Sequence, residues 1–229
     1  ENYLLPMSQG RLLTDIALKQ NHILSDSTRL TDTGIYIGVP YCPSRCSYCS
    51  FPAGIVPQDE ESQQNFVNMI EQDLQNVVQL IGMHSLRVKS LYIGGGTPTS
   101  LSDKVFARCC RLWNEDCCKA TAKLAVSARV HGGGGRPDCF SAAKLAAMEA
   151  AGVNRISVNP QSFHHKTLQL IGRRHSVKDF YNAYELVRKS RIPVVNVDLI
   201  IGLPQETEQE IAYSLEQAVK LAPENLTVH

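Results

Sequence analysis

Y-I-G-V-P-Y-C-P-S-R-C-S-Y-C-S-F-P, residues Tyr36 to Pro52, sets three cysteines in a loop directly behind an apolar, strand-like run. Cys42, Cys46 and Cys49 follow C-x3-C-x2-C spacing, one thiolate short of a full tetrahedral set. Three cysteines holding a cubic iron-sulfur cluster leave its fourth iron open to a small molecule, as catalytic metals keep an open position. The loop therefore reads as a catalytic cluster site. A zinc knuckle would need a fourth ligand nearby, but the next His is His84 and the next Cys is Cys109. Disulfide staples are not needed by a chain of 229 residues with 43% hydrophobic content and no secretory segment. Eight cysteines in that setting indicate a reducing compartment.

Around this loop the chain alternates short apolar or β-branched runs with longer amphipathic segments. Strands are expected at 35–39, 90–93, 123–130, 155–158, 194–201 and 226–229, with helices at 60–81, 102–114, 141–151, 176–190 and 207–221. Several helices open on Ser or Thr, whose side chains cap free backbone N–H groups. Strands alternating with helices imply parallel pairing and right-handed crossovers. The Gly-rich or polar clusters all follow or finish strands: the cysteine loop, G-G-G-T-P-T, N-P-Q-S and D-L-I-I-G-L-P. Chemistry gathered at the carboxyl ends of parallel strands is the barrel pattern. The expected fold is α/β, a partial six-stranded TIM-like barrel over 34–229, cut from a longer protein. Residues 1–33, with Leu12, Leu13, Ile16, Ala17, Ile23 and Leu24 forming an apolar stripe, read as a helical lead-in.

A net charge of +1 argues against an electrostatic nucleic-acid partner. The longest apolar run, Val194 to Leu203, is broken by Asn196 and Asp198 and is too short to span a membrane. No targeting peptide is visible, although the chain begins with Glu1 rather than Met. The expected location is cytoplasmic.

The cysteine loop with Tyr48, followed by L-Y-I-G-G-G-T-P-T at Leu91 to Thr99, resembles the radical S-adenosylmethionine (SAM) enzymes. R-I-S-V-N-P-Q-S-F, L-I-G-R-R-H at Leu170 to His175 and N-V-D-L-I-I-G-L-P at Asn196 to Pro204 narrow the likeness. Together they resemble the oxygen-independent coproporphyrinogen III oxidase family, in its coproporphyrinogen dehydrogenase-like subgroup. The resemblance implies a [4Fe-4S] cluster on Cys42, Cys46 and Cys49. That cluster would pass one electron to the sulfonium of SAM and so release a 5'-deoxyadenosyl radical. It places Tyr36, Tyr48, Gly95, Gly96, Thr97, Gln161, Arg173, Asp198 and Thr227 at the SAM site. The glycines would let the backbone approach the methionine end, and Arg173 would clamp the carboxylate in preference to Arg174. Asp198, on an apolar strand, needs a partner such as the ribose hydroxyls. The implied ligand is a porphyrinogen or haem, and the implied electron donor is a flavodoxin or ferredoxin.

Two departures stand out. Coproporphyrinogen oxidases proper carry a further Cys two residues after the third ligand, where this chain has Phe51. Haem-chaperone relatives share that lack, so haem binding, or a catalytically degenerate homologue, is the alternative outcome. The family also places a Glu on the third strand, whereas no acidic residue occurs from Cys117 to Pro137. A-R-V-H-G-G-G-G at Ala128 to Gly135 can be encoded by bases that, shifted by one frame, read R-E-F-T-V-E-A. A local frame change would account for the missing Glu and leave the third strand poorly formed. Cys109, Cys110, Cys117 and Cys118 read as buried helical thiols rather than ligands.

Overall fold

A computed structural model describes residues 7–24, 30–113 and 129–229. It divides into two compact units, Glu1–Asp32 and Thr33–His229. The first contains the helix α1, Met7–Leu24.

The second unit is an α/β fold whose six main strands lie in chain order across one sheet. These are β1 (Asp32–Val39), β4 (Arg87–Gly95), β5 (Arg129–Gly135), β6 (Arg155–Gln161), β7 (Val194–Leu199) and β8 (Asn225–Val228). Pairings from β4 through β8 are parallel. Sequential order with right-handed crossovers puts every connecting helix on the same side, which is the arrangement of a partial barrel. Among the described residues the helices are α2 (Glu60–Met83), α3 (Asp103–Leu112), α4 (Ala142–Ala150), α5 (His165–Leu170), α6 (Val177–Arg188) and α7 (Glu208–Lys220). Their starts are written in the sequence. Asp59 caps α2, Ser102 caps α3 and Ser141 caps α4, while Ser176 with Asp179 and Thr207 with Glu210 form capping boxes on α6 and α7.

The two faces of the sheet differ sharply. Ile37, Val39, Leu91, Ile93, Ile156, Val158, Val195, Val197 and Leu199 are buried in one core with Phe106, Met148, Phe180 and Val187 of the helices. The alternate positions carry Tyr36, Tyr92, Ser157, Asn196, Asp198 and Thr227 on the concave face. A closed barrel fills this space with branched apolar side chains. Here it is polar, and Tyr36 is 59% exposed.

Three features differ from the sequence expectation. A two-stranded parallel ribbon, β2 (Tyr41–Cys42) with β3 (Gly54–Ile55), closes the base of the cysteine loop. The short helix α5 interrupts the link between β6 and α6. The third main strand starts at Arg129 and runs through the glycines to Gly135, whereas most of the expected strand at 123–130 falls outside the described residues. Glycine is depleted in strands because it adds no side-chain packing, so the run reads as loop. Pairing to β4 and β6 on either side makes it a strand nonetheless, with an irregularity between Gly132 and Gly135. Cys117 and Cys118 also lie outside the described residues.

Candidate functional site

The cysteine loop is fixed at both ends by backbone bonds. Gly54 N–H donates to Pro40 O at 2.8 Å and Val56 N–H to Cys42 O at 2.9 Å, closing the ribbon. Beside it, the turn after β4 is pressed against the same segment. Gly96 N–H donates to Val39 O at 2.8 Å and Thr97 N–H to Tyr41 O at 2.6 Å. Such approach requires glycine. A Cβ on Gly96 would lie 2.8 Å from Cys42 Sγ, and Gly95 has φ +101° with Val39 O 2.6 Å from where its Cβ would be. The closeness these glycines allow is thus to the cysteine loop itself. Buried Thr97 also brings its hydroxyl 3.4 Å from Cys42 Sγ.

Cys42, Cys46 and Cys49 are half-buried free thiols. Burial pushes the Cys42 thiol up, the Thr97 hydroxyl pulls it down, and Cys46 and Cys49 push it up again, so the three sulfurs share one electrostatic neighbourhood. Among the described residues no three His, Cys, Asp or Glu side chains converge as a single ion requires. Thiolates that each hold a different iron of a cluster do not converge in that way.

Next to the loop, Arg173 donates from Nη2 to Tyr48 Oη at 2.8 Å and from Nη1 to Asn159 O at 3.3 Å. Burial raises the Tyr48 phenol, against the lowering pull of Arg173. Arg173 is half-buried and Arg174 exposed, which separates the two adjacent arginines. Gln161 ends β6 at φ +67°, an uncommon conformation for a residue with a side chain. Its Oε1, Asn159 Oδ1 and Arg173 Nε are buried with no hydrogen-bond partner among the described residues. Buried polar atoms left this way call for a partner, and the amino-acid end of a polar ligand could supply one here.

Across the concave face, Asp198 accepts from Asn196 Nδ2 at 2.5 Å. Asn196 also donates to Ser157 Oγ at 3.2 Å and accepts from Thr227 Oγ1 at 3.1 Å. Asp198 and Thr227 are register partners on β7 and β8. The protein therefore supplies Asp198 with an amide partner of its own, and no cation pairs with it among the described residues. At the other edge Tyr36 stacks on Tyr92, with ring centroids 5.6 Å apart and planes 10° apart. Burial raises the Tyr92 phenol, and the charges of Asp198 and Tyr36 raise it further, so these groups face a common space.

Sequence reasoning missed Tyr92, Asn159 and Asn196. Period-two alternation could have found Asn196, two residues before Asp198. Cys109 and Cys110 stand apart, buried on α3, burial taking Cys109 up to about 12 and raising Cys110 as well.

The family model described as the radical SAM superfamily matches residues 36–218. The chain belongs to the radical SAM superfamily and, within it, to the oxygen-independent coproporphyrinogen oxidase-like family. It is 35% identical over 234 aligned residues to the oxygen-independent coproporphyrinogen-III oxidase-like protein HemZ of Bacillus subtilis, covering 100% of this chain and 45% of the relative. It is 33% identical to the heme chaperone HemW of the same organism, over 85% of this chain and 49% of that one. The fold matches the solved coproporphyrinogen III oxidase HemN of Escherichia coli with a TM-score of 0.72 at 24% identity, over 86% of this chain and 43% of the oxidase. The chain spans about half the length of the curated relatives it matches. Family membership implies a [4Fe-4S] cluster and SAM. The half-buried cysteines, the close-approach glycines and the orphaned polar atoms fit both groups. No helix among the described residues is long and apolar enough to cross a membrane.

Proposed function

We propose that this chain is the radical-generating barrel of an oxygen-independent tetrapyrrole enzyme that oxidatively decarboxylates coproporphyrinogen III. The observation that carries the reading is the juxtaposition of the tied cysteine loop with the unpartnered atoms of Gln161, Asn159 and Arg173. Cys42, Cys46 and Cys49 would hold the cluster. Arg173, Gln161 and Tyr48 would take the amino-acid end of SAM, with Gly95, Gly96 and Thr97 backing it. Tyr36, Asp198 and Thr227 would line its nucleoside end. Bound together, the cluster and SAM supply one-electron cleavage of the sulfonium and an acceptor for a substrate hydrogen atom. Each of the two propionates that react would lose that hydrogen atom, one further electron to an acceptor, and CO2, leaving a vinyl group, while the other two propionates stay intact. A small flavin or iron-sulfur protein of the flavodoxin or ferredoxin kind would supply the priming electron. The chain's own part is to bind, orient and shield.

Phe51 favours a second reading. It is 58% exposed at the position where the oxidases proper carry Cys, and an exposed aromatic ring beside the loop suits stacking on a flat macrocycle. The protein would then bind haem and hand it on.

Anaerobic reconstitution with iron and sulfide, followed by SAM and reductant, is expected to yield 5'-deoxyadenosine. Its absence from a fully loaded sample would refute radical generation by this chain. Coproporphyrinogen and haem, supplied separately, discriminate the two readings: vinyl products with released CO2 mark the oxidase, and a stable haem complex without turnover marks the carrier. Cys46→Ala is expected to abolish the brown cluster absorption, and an unchanged spectrum would remove the ligand assignment.

A further inference from the structure

We propose that Arg136 is a positioning residue for the cysteine loop: a buried cation that locks Ser44, between Cys42 and Cys46, and sets the electrostatic ground on which the cluster is held. The inference rests on the cluster reading above and deepens it.

Arg136 follows the last residue of β5 and is only 3% exposed. Its guanidinium divides its donors between two partners. Nε and Nη2 grip the Asp138 carboxylate at 3.0 and 2.8 Å, and Nη1 donates to Ser44 Oγ. Ser44, 8% exposed, passes the contact on by donating to Gly172 O at 3.2 Å. The same turn takes a second bond from the loop, Ser47 N–H to Ile171 O at 3.1 Å. Gly172, at φ +75°, lies so close that a Cβ would sit 2.9 Å from Arg45 O. The stretch from Ser44 to Ser47 is therefore held from the β5 end and from the turn after α5. One of the three ligands, Cys46, lies inside it.

The charge is as relevant as the geometry. Burial works against the Arg136 cation, and the Asp138 carboxylate that it grips at 2.8 Å helps to keep it charged. A cluster on three thiolates carries net negative charge that grows on reduction, and potentials follow net charge and hydrogen bonding near the sulfurs. A buried cation here favours the reduced cluster, the form that must donate to a sulfonium. The planar fork is what lets one side chain hold Asp138 and Ser44 together, so Lys could keep the charge but not both contacts.

Three variants of the full chain separate these roles: Ser44→Ala, Arg136→Lys and Arg136→Gln. In the cluster-free protein, backbone amides of 42–49 are expected to exchange with solvent about tenfold faster in all three, the scale of one lost charge-assisted hydrogen bond. In reconstituted protein, a redox titration followed by electron paramagnetic resonance should find the midpoint potential most negative in Arg136→Gln and near wild type in Arg136→Lys. Wild-type exchange in Ser44→Ala and Arg136→Lys, or wild-type potential in Arg136→Gln, would overturn the proposal. If wild type takes up no cluster, the function proposed above fails while the exchange measurement still decides this one. Should Arg136→Gln not fold, Ser44→Ala, which removes a single oxygen, decides by exchange alone.

Discussion

The two edges of the sheet solve the same problem by different means. At the β1–β4 edge, beside the Tyr36–Tyr92 stack, the cysteine loop is shaped by backbone: the loop, the β2–β3 ribbon and the turn at Gly95 and Gly96 interlock through main-chain bonds of 2.6 to 2.9 Å, and glycine is required because nothing larger fits. At the β6–β8 edge it is shaped by side chains. Ser157, Asn196, Asp198 and Thr227 form a hydrogen-bonded row, and Arg173 reaches Tyr48 from the turn beyond α5. The difference follows from what each edge would hold. A compact inorganic group needs a rigid loop of fixed span, whereas an organic cofactor with many polar atoms needs donors and acceptors placed one by one.

Gly96→Ala breaks the first edge most severely. Its Cβ would collide with the Tyr41 carbonyl and Cys42 Sγ, and neither can retreat without opening the ribbon. Overpacking against backbone costs roughly 3 kcal/mol, and the cost falls on the segment that carries Cys42. Iron content after reconstitution should drop to near zero while the far edge keeps its fold. A variant with full iron loading would show that the turn is not what holds the loop.

Between the edges lies His175, 1% exposed, with neither ring nitrogen in a well-formed hydrogen bond; the Pro160 backbone favours the charged form only weakly. Burial, aided by Arg173 and Arg136, depresses it from 6.5 to about 4, against the pull of Asp138. Over that window the unfolded chain binds a proton that the folded chain does not, so stability falls as pH falls and levels off below the folded value. The full loss is roughly 3 kcal/mol. Urea midpoints measured across the window should decline in wild type and stay flatter in His175→Asn. Parallel profiles would clear His175 of the effect.

The parallel strands, the cap residues and the cysteine spacing were legible in the chain because each is a local pattern of period, punctuation or ligand count. The polar and glycine-rich clusters at the ends of β4, β6 and β7 were legible for the same reason, since a barrel gathers its strand ends, whereas the roles of Gln161 and Arg173 came from the family resemblance. What escaped is non-local. Arg136 meets Ser44 across 92 positions, and Tyr36 meets Tyr92 only because β1 and β4 are neighbours. The glycine run of β5 escaped because its neighbours, not its own composition, make it a strand. The short ribbon escaped because two-residue strands have no period to detect.

The side-chain edge should fail by degrees. Arg173→Lys keeps a cation but gives up the fork that reaches Tyr48 and Asn159 together. SAM affinity in reconstituted protein is expected to fall roughly tenfold, with iron content unchanged, in equilibrium dialysis. Loss of iron instead would mean that Arg173 serves the loop and that the two edges are not separate.

Thr227→Val is the mildest test and the most discriminating. Val keeps the shape and removes only the hydroxyl that donates to Asn196 Oδ1 at 3.1 Å. The lost bond is worth about 1 kcal/mol, partly recovered because Asn196 keeps its bonds to Ser157 and Asp198. If Thr227 acts only by holding Asn196, SAM affinity should stay near wild type, and stability should fall by about the same free energy whether or not SAM is present. If Thr227 touches the cofactor directly, affinity should fall further than stability does. Chemical denaturation with and without SAM, set beside binding isotherms for Thr227→Val and Asn196→Ala, separates a row that supports the site from one that forms it.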